Sequence, residues 1–377
     1  MVNIVFLNLL AVTDGGQVTR SEAFINRFRK YDESSKLIIF RRKNSLKFCE
    51  KVTNSIIVDV FLTETIFRPW IRLIWENTAL KFFSLKYKPD VYLTFSHYLP
   101  FIISSEIFSI VGVTNLAPFS KRAMKNEPVS MKVKMRLLKV AIIASSKRAN
   151  KVIALSEYCK QLLIENKVDG EKIEVISNGV SVTNTEKSFN LDVLNEFNIK
   201  KDFILYVSSF FPYKNFDIVI DAYSKLPIEV QNKYKLLLIG KIQDREYFDY
   251  LVSKSQMMNI EDKVIFIDHI GKEKLLSFYK FCEIFIFASL IENCPNILLE
   301  SMACAAPVLC SNKKPMPEFL GDAGIYFDPL DKKSLSKSIL TLLKDEELKK
   351  RLKNKSLERS KSYSWNTFTK KTIDLYL

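Results

Sequence analysis

The chain has 377 residues, of which 47% are hydrophobic, 26% charged and 12% aromatic, with only 9 glycines and 12 prolines. This is the composition of a globular protein and excludes fibrous and largely disordered classes. The length favours two domains of about 150 to 200 residues each, because a single core seldom grows beyond about 250 to 300 residues.

The basic excess is concentrated in the first half of the chain. The 57 lysines and arginines against 42 aspartates and glutamates give a net charge of +15. Residues 1–180 contain 28 basic and 16 acidic side chains, a net of +12, whereas residues 181–377 contain 29 and 26, a net of +3. We expect the first half to meet an anionic partner, which could be a membrane surface, a phosphorylated substrate or nucleic acid.

Several chemistries are made improbable by motifs that the sequence lacks. The six cysteines form no CxxC pair and there are only two histidines, so no zinc site is expected. No GxGxxG fingerprint, no phosphate-binding P-loop and no D-x-D pair for a metal-nucleotide complex occurs. With no cleavable leader and no apolar run of about 18 residues, we expect a cytoplasmic protein that does not cross a membrane.

Short apolar, β-branched runs alternate with amphipathic stretches of helical length through the first half. This order predicts a doubly wound parallel sheet with crossover helices. The predicted strands are 4–10, 36–40, 55–60, 90–95, 110–114, 151–155 and 173–176. A Gly15-Gly16 pair follows the first strand, and His97 follows the fourth.

A strongly basic segment lies between two of these strands. Residues 121–151 contain ten basic side chains and one acidic one, while Met131, Met135, Leu138 and Ile142 recur at helical spacing. The pattern predicts a basic amphipathic helix, with Lys132, Arg136 and Lys139 on one stripe. The stripe either docks on an anionic membrane or is a solvated face over the core.

The alternation lapses over a polar stretch and then begins again. We predict an N-terminal domain over 1–182, a linker over 183–200, a second domain over 201–362, and a final helix in 363–377 that could pack back on the first domain. The second set of strands is 203–207, 235–239, 264–267, 284–288, 307–310 and 324–327. Two such sheets are expected to face each other across a cleft, where their strand ends bind ligands.

The segment over 287–311 carries two carboxylates, Glu292 and Glu300, eight residues apart. A strand ends near residue 289, and Pro295 suits the first turn of the helix that follows. The free N–H groups at the start of this helix, at Asn296 and Ile297, are suited to binding a pyrophosphate.

This segment resembles the E-x7-E motif of glycosyltransferase family 4, the retaining nucleotide-sugar enzymes of the GT-B fold, and the trailing Ser-Met-Ala-Cys-x-x-Pro-Val also matches. The resemblance implies that Glu292 binds the donor sugar and Glu300 the ribose. The family usually has glycine where Ala305 stands, so the turn there either avoids positive φ or is slightly strained.

Further matches extend over nearly the whole chain. Lys214 corresponds to the family's diphosphate-binding lysine, whereas Ser209 occupies the position of its arginine, which Lys241 could replace. The Gly-Gly loop with Gly16 is similar to the loop near the donor phosphate, and His97 to a histidine near the donor sugar. The resemblance therefore assigns Glu292, His97 and Lys214 as catalytic candidates.

These observations predict a metal-independent, retaining glycosyltransferase without a cofactor, using a UDP- or GDP-type sugar donor. The acceptor would be a glycan or polyprenyl-linked glycan of bacterial capsule, O-antigen or lipopolysaccharide synthesis. The enzyme would lie on the inner face of the membrane and bind no nucleic acid. Two alternatives remain at this stage: a GT-B nucleotide-sugar epimerase, and a non-catalytic nucleic-acid-binding protein that uses the basic half.

Overall fold

The structure is a computed structural model that describes residues 3–13, 15–43, 45–60, 69–120, 128–180, 189–199 and 202–377. It divides into two compact units. Unit 1 comprises Met1–Gly179 and Trp365–Leu377, and unit 2 comprises Val180–Ser364. The division after Gly179 is three residues before the predicted end of the first domain at 182.

Unit 1 is built on a seven-stranded parallel sheet of order β3-β2-β1-β4-β5-β6-β7. Its strands are β1 (Ile4–Asn8), β2 (Lys36–Arg42), β3 (Ser55–Val60), β4 (Val91–Thr94), β5 (Phe108–Val113), β6 (Lys151–Ala154) and β7 (Ile173–Val175). Its helices are α1 (Gly15–Tyr31), α2 (Pro69–Tyr87), α3 (Val129–Arg148), α4 (Glu157–Glu165) and, from the end of the chain, α14 (Trp365–Ile373).

Unit 2 is built on a six-stranded parallel sheet of order β10-β9-β8-β11-β12-β13. Its strands are β8 (Phe203–Val207), β9 (Lys235–Ile239), β10 (Val264–Ile267), β11 (Ile284–Phe287), β12 (Val308–Ser311) and β13 (Gly324–Phe327). Its helices are α5 (Asp192–Glu196), α6 (Phe216–Tyr223), α7 (Ile228–Lys233), α8 (Arg245–Met257), α9 (Lys272–Phe281), α10 (Asn296–Ala303), α11 (Met316–Leu320), α12 (Lys332–Lys344) and α13 (Glu346–Ser360).

All the predicted strands are present, with ends that differ by at most two residues. Strands such as β8 are buried along their whole length, as expected where helices cover both faces of a parallel sheet. In both sheets the strand order reverses near the centre, beside β1 in unit 1 and beside β8 in unit 2. The carboxyl edges of the strands at these switch points are where ligands bind in doubly wound sheets.

The segment predicted as a linker contributes to the core of unit 2. Its described part, residues 189–199, contains α5, and Val193, Leu194 and Ile199 are buried in the main hydrophobic cluster of unit 2. The burial of these three residues was not predicted, because apolar residues are sparse in this polar segment. The other predicted linker positions, 183–188 and 200, lie outside the described residues.

The final helix, α14, packs in unit 1 against α1. Trp365, Phe368 and Ile373 are buried, and the Phe368 ring lies 5.7 Å from that of Phe95. The Tyr376 hydroxyl donates to Asp32 Oδ2 at 3.0 Å. Unit 1 therefore closes with residues from both ends of the chain.

Ala305 ends α10 in a left-handed conformation, with φ 56°. The Ala305 N–H donates to the Met302 carbonyl at 2.9 Å and the Ala306 N–H to the Ser301 carbonyl at 3.0 Å, the paired bonds of a Schellman motif. The motif favours glycine at this position because a Cβ in the left-handed region is strained. The family glycine is thus replaced by alanine without loss of the turn.

We predict that Ala305→Gly raises the free energy of unfolding of unit 2 by about 0.5 to 1 kcal/mol, because the relief of strain exceeds the added entropy of the unfolded chain. Urea unfolding followed by circular dichroism measures this as a higher midpoint. Ala303→Gly, within α10, is the matched control and should lower the midpoint. A lower midpoint for Ala305→Gly would contradict the strain.

Candidate donor-binding site

Two loops meet at the carboxyl edge of the unit 2 sheet, one after β8 and one after β11, which are neighbouring strands. The Leu290 N–H donates to the Tyr213 carbonyl at 3.0 Å. The Asn215 amide donates to the Ala288 carbonyl at 3.3 Å and to the Pro329 carbonyl at 2.8 Å. Backbone and side-chain bonds therefore fix the two loops to each other.

Lys214 and Glu292 project from these two loops and form an ion pair, with Lys214 Nζ 2.6 Å from Glu292 Oε1. Both side chains are only 14% exposed. The carbonyl of Lys214 also accepts a hydrogen bond from the hydroxyl of the buried Tyr206, which holds the short 3₁₀ turn Pro212–Lys214 in place. The structure thus brings together two of the three residues predicted as catalytic.

The ammonium group of Lys214 stays charged despite its burial. Burial alone would lower the pKa of Lys214, but the negative charge of Glu292 and the contribution of Tyr213 outweigh it, and the pKa is raised above its ordinary value. The ammonium also lies 5.1 Å from the centre of the Tyr213 ring. Such a fixed cation can stabilise charge that develops on a leaving diphosphate.

Ser209, which stands where the family has an arginine, is half-buried at the same edge of the sheet. The following Phe210 N–H donates to the Lys241 carbonyl at 3.0 Å, so the loops after β8 and β9 run side by side. A Cβ on Gly240 would lie 1.6 Å from the Ser208 carbonyl oxygen, and this close approach requires glycine. Lys241 is exposed, and its replacement of the family arginine stays a prediction.

The helix α10 begins at Asn296, immediately after Pro295, so the proline precedes the first turn instead of lying in it. Asn296 and Ile297 are its first two residues and are half-buried. They follow the carboxyl end of β11, and pyrophosphate binding at this end of the helix stays a prediction.

Glu300 lies one turn inside α10 and has a lysine partner of its own. Its Oε1 is 3.2 Å from Nζ of Lys272, the first residue of α9; the Glu300 side chain is 16% exposed and that of Lys272 is 47% exposed. Lys272 was not predicted. The only signal for it in the sequence is a basic residue directly after Gly271, at the start of the helix that follows β10.

In unit 1, Gly16 is the second residue of α1 and is exposed. Gly15 begins the helix with φ +56°, a conformation that favours glycine, and no atom lies within 4 Å of where its Cβ would be. Asp14, which directly precedes the pair in the sequence, lies outside the described residues. The glycine pair therefore opens a helix at the carboxyl edge of β1.

His97 follows β4 at the same edge of unit 1 and also has positive φ, 55°. Its Nδ1 is buried and has no hydrogen-bond partner among the residues that the structure describes. Burial and the positive charge of Arg72 lower the pKa of His97 to about 4. The imidazole is consequently neutral at physiological pH, and can accept or donate a hydrogen bond without carrying charge.

The predicted basic helix is α3, although residues 121–127 of the basic segment lie outside the described residues. Arg136 is exposed, while Lys132 and Lys139 are half-buried. Lys139 Nζ lies 5.1 Å from the centre of the Phe119 ring. The three predicted charges are thus not equally accessible.

Metal-binding clusters and membrane-spanning helices are both missing from the described part of the chain. Within the described ranges, no group of three histidine, cysteine, aspartate or glutamate residues could hold a metal ion. None of the helices formed by these residues has the length and hydropathy needed to span a bilayer.

Two family models match consecutive parts of the chain. The model of glycosyl transferases group 1 matches residues 191–359, which contain both glutamates and Lys214, and the model of glycosyltransferase family 4 matches residues 15–184. The chain belongs to glycosyltransferase family 4. The predicted family resemblance is therefore confirmed.

Two curated relatives of this glycosyltransferase come from bacteria. It is 30% identical over 187 residues to O-antigen chain mannosyltransferase B of Escherichia coli, covering 49% of each chain. It is 29% identical over 208 residues, 53% of each chain, to the N-acetylgalactosamine-N,N'-diacetylbacillosaminyl-diphospho-undecaprenol 4-alpha-N-acetylgalactosaminyltransferase of Campylobacter jejuni. The chain thus spans about half the length of the curated relatives it matches.

The fold of this glycosyltransferase is similar to that of Anabaena HepE, solved in complex with UDP-glucose. The two structures match with a TM-score of 0.77 over 99% of both chains, at 15% sequence identity. Similarity at this identity concerns the fold. The predicted α/β class, with two doubly wound Rossmann-like domains of the GT-B type, is confirmed.

Proposed function

We propose that this protein transfers a sugar from a nucleoside diphosphate sugar, of the UDP or GDP type, to a hydroxyl group of a glycan acceptor with retention of anomeric configuration. The Lys214–Glu292 pair carries the proposal, because it places a charged lysine and a carboxylate at the carboxyl edge of the unit 2 sheet. Anabaena HepE, which has a similar fold, forms a complex with UDP-glucose, a donor of this class.

Each group at this edge has a chemical task in the proposed reaction. Lys214 and the start of α10 bind the diphosphate, Glu292 binds hydroxyls of the donor sugar, and Glu300 binds the ribose hydroxyls. The bond from the anomeric carbon to the diphosphate oxygen breaks, and the acceptor oxygen bonds to that carbon as its proton leaves. Both a front-face displacement and a covalent intermediate retain configuration.

The proposed transfer uses neither a metal ion nor a cofactor. Lys214 keeps its charge when buried, and Lys241 is exposed on the adjoining loop. Together with the start of α10, these cations oppose the negative charge that accumulates on the departing diphosphate. The proposal is thus consistent with the absence of a D-x-D pair from the sequence.

The proposed acceptor is a glycan on a lipid diphosphate, in the synthesis of a bacterial capsule, O-antigen or lipopolysaccharide. The two bacterial relatives support this class, because one is an O-antigen mannosyltransferase and the other is named for a diphospho-undecaprenol-linked sugar. The charge of +12 in residues 1–180 also suits an anionic acceptor.

Product analysis tests this function. A thermal-shift screen with UDP, GDP and ADP sugars first identifies the donor, since a bound ligand raises the apparent stability of the folded protein. NMR of the product should then show the donor's anomeric configuration, with activity unchanged by EDTA. A product of inverted configuration would contradict retention, and a changed sugar nucleotide without any acceptor product would contradict transfer. Loss of activity with EDTA that manganese restores would contradict the metal-independent reaction.

We further propose that unit 1 docks on the inner, anionic face of the membrane through α3. Beside Lys132, Lys134 and Arg136, this helix exposes a second apolar stripe that sequence reasoning missed. Its members recur at helical spacing and are Val129, Val133, Leu137 and Val140. An exposed apolar stripe flanked by basic side chains is the pattern of an interfacial helix.

A second helix adds to this surface. Ile74, Phe82 and Leu85 of α2 are exposed. Asn77 of α2 and Arg148 of α3 both hydrogen-bond to the backbone of residues 99–101, which ties the two helices to one segment. We include these apolar residues of α2 in the proposed membrane contact.

We expect the combined change Lys132→Glu, Arg136→Glu and Lys139→Glu to release the protein from anionic vesicles, since each basic residue near such a surface contributes about 1 kcal/mol. Cosedimentation with phosphatidylglycerol vesicles at low and high salt measures the loss. The matched control reverses Lys337, Lys344 and Lys350 of unit 2, which are exposed. If the α3 variant sediments like its parent, the charges form a solvated face or bind acceptor phosphates.

A further inference from the structure

A buried carboxylate lies at the carboxyl edge of the unit 1 sheet. Glu76 of α2 is 1% exposed, and its Oε1 accepts a hydrogen bond from Asn8 Nδ2 at 2.9 Å. Asn8 is the last residue of β1, and its amide also donates to the Tyr92 hydroxyl at 2.8 Å. Burying a carboxylate is costly, so a residue of this kind is usually kept for what it holds in place.

Glu76 forms an ion pair with Arg72, which lies one helical turn earlier on α2. Arg72 Nε is 3.5 Å from Glu76 Oε2, and the Arg72 side chain is 18% exposed. Neither Arg72 Nε nor Glu76 Oε2 has a hydrogen-bond partner among the residues that the structure describes, although a guanidinium has five N–H donors. The guanidinium is thus paired with Glu76 by charge, and its hydrogen-bonding capacity is not used within the described residues.

The residues around Arg72 include a neutral histidine and a hydrogen-bonded backbone segment. Burial and, to a smaller extent, the charge of Arg72 lower the pKa of His97, so the imidazole is neutral at physiological pH. The adjoining segment is rigid, because Asn77 Nδ2 donates to the Tyr98 hydroxyl at 2.7 Å and the Phe101 N–H donates to Asn77 Oδ1 at 2.7 Å. Arg72 is therefore a largely buried cation, paired with Glu76, near the edge where doubly wound sheets bind ligands.

We propose that Arg72 binds the diphosphate of a polyprenyl diphosphate-linked acceptor, forming a phosphate subsite on unit 1. The inference rests on the proposed function and adds a residue to it. The guanidinium of Arg72, whose Nε has no hydrogen-bond partner among the described residues, offers a planar fork of N–H donors that fits two phosphate oxygens. The residues proposed for the donor diphosphate, Lys214 and those at the start of α10, all belong to unit 2.

Binding of geranyl diphosphate, a water-soluble polyprenyl diphosphate, tests the subsite directly. Calorimetry is carried out on a Lys214→Ala, Glu300→Ala background, so that the donor site contributes little. Adding Arg72→Gln should weaken binding at least about tenfold, the loss expected for a charge-assisted pair. Arg72→Lys should lose less, because it keeps the charge but not the fork.

Arg27→Gln on α1 is the matched control, and it should leave the affinity unchanged. Geraniol, which lacks the diphosphate, should show no dependence on Arg72. The subsite would be overturned if Arg72→Gln left the affinity for geranyl diphosphate unchanged, or if Arg27→Gln lowered that affinity as much as Arg72→Gln.

Kinetics on the otherwise unchanged enzyme separate acceptor from donor. Arg72→Gln should raise KM for a lipid diphosphate acceptor and leave KM for the donor unchanged, whereas a rise in donor KM alone would overturn the assignment. If the parent protein transfers no sugar but still binds geranyl diphosphate through Arg72, the proposed function fails and the subsite stands. If transfer proceeds and binding does not depend on Arg72, the subsite alone fails.

Discussion

Lys214→Ala should lower kcat for sugar transfer by about 10² to 10³-fold, the loss typical when one group that stabilises a leaving charge is removed. The physical reason is the fixed ammonium, which lies 2.6 Å from Glu292 and stays charged when buried. In the proposed reaction, removing it leaves one fixed cation fewer to oppose the charge that develops on the diphosphate. Steady-state kinetics with the donor identified by the thermal-shift screen measure the effect.

Lys225→Ala is the matched control, because Lys225 is an exposed lysine of unit 2 that follows α6. It should retain the kcat of the parent protein. The melting temperature of Lys214→Ala must also be recorded, since the change leaves the carboxylate of Glu292 without its lysine. A variant with normal kcat and only a weaker affinity for the donor would show that Lys214 binds the ground state without acting on the transition state.

Glu300→Ala should weaken binding of the free nucleoside diphosphate by about 10 to 100-fold, because charge-assisted hydrogen bonds to two ribose hydroxyls contribute roughly 1.5 to 3 kcal/mol. Calorimetry with the matching nucleoside diphosphate measures the change. An unchanged dissociation constant would rule out contact between Glu300 and the ribose.

Two other variants sharpen the assignment of Glu300. Glu292→Ala should weaken binding of the sugar nucleotide but not of the bare nucleoside diphosphate, because the proposed contact of Glu292 is with the sugar. Lys272→Ala should change nucleotide affinity only slightly, since Lys272 is half exposed and exposed ion pairs contribute little. Equal losses for both ligands in Glu292→Ala would mean that the sugar has been placed wrongly.

The sheets were predictable because their strands are short apolar runs between polar helices. In β8 and β12 every residue is buried, so the hydrophobic run itself marks the strand. The family motif likewise located Glu292 and Glu300, because both lie within one local strand-to-helix segment. Such features depend on neighbours in sequence and can be inferred from one chain.

The partners of these carboxylates depend on tertiary structure. Lys214 and Glu292 are 78 residues apart, and their pairing requires β8 and β11 to be neighbours. In the local sequence, Arg72 and Glu76 look the same as an exposed ion pair on a helix, although Glu76 is buried in the structure. The burial of Glu76 and the exposure of the second apolar stripe of α3 both depend on which face of each helix packs against the sheet.

The contribution of α14 to unit 1 has a consequence for the order of folding during synthesis. The contact between Tyr376 and Asp32 joins residues that are 344 apart, and all of unit 2 lies between α1 and α14 in the chain. The ribosome must therefore complete unit 2 before the last helix of unit 1 is available. Unit 2 can fold while unit 1 still exposes the apolar surface beneath Trp365 and Phe368, so the nascent first domain depends longest on protection from aggregation.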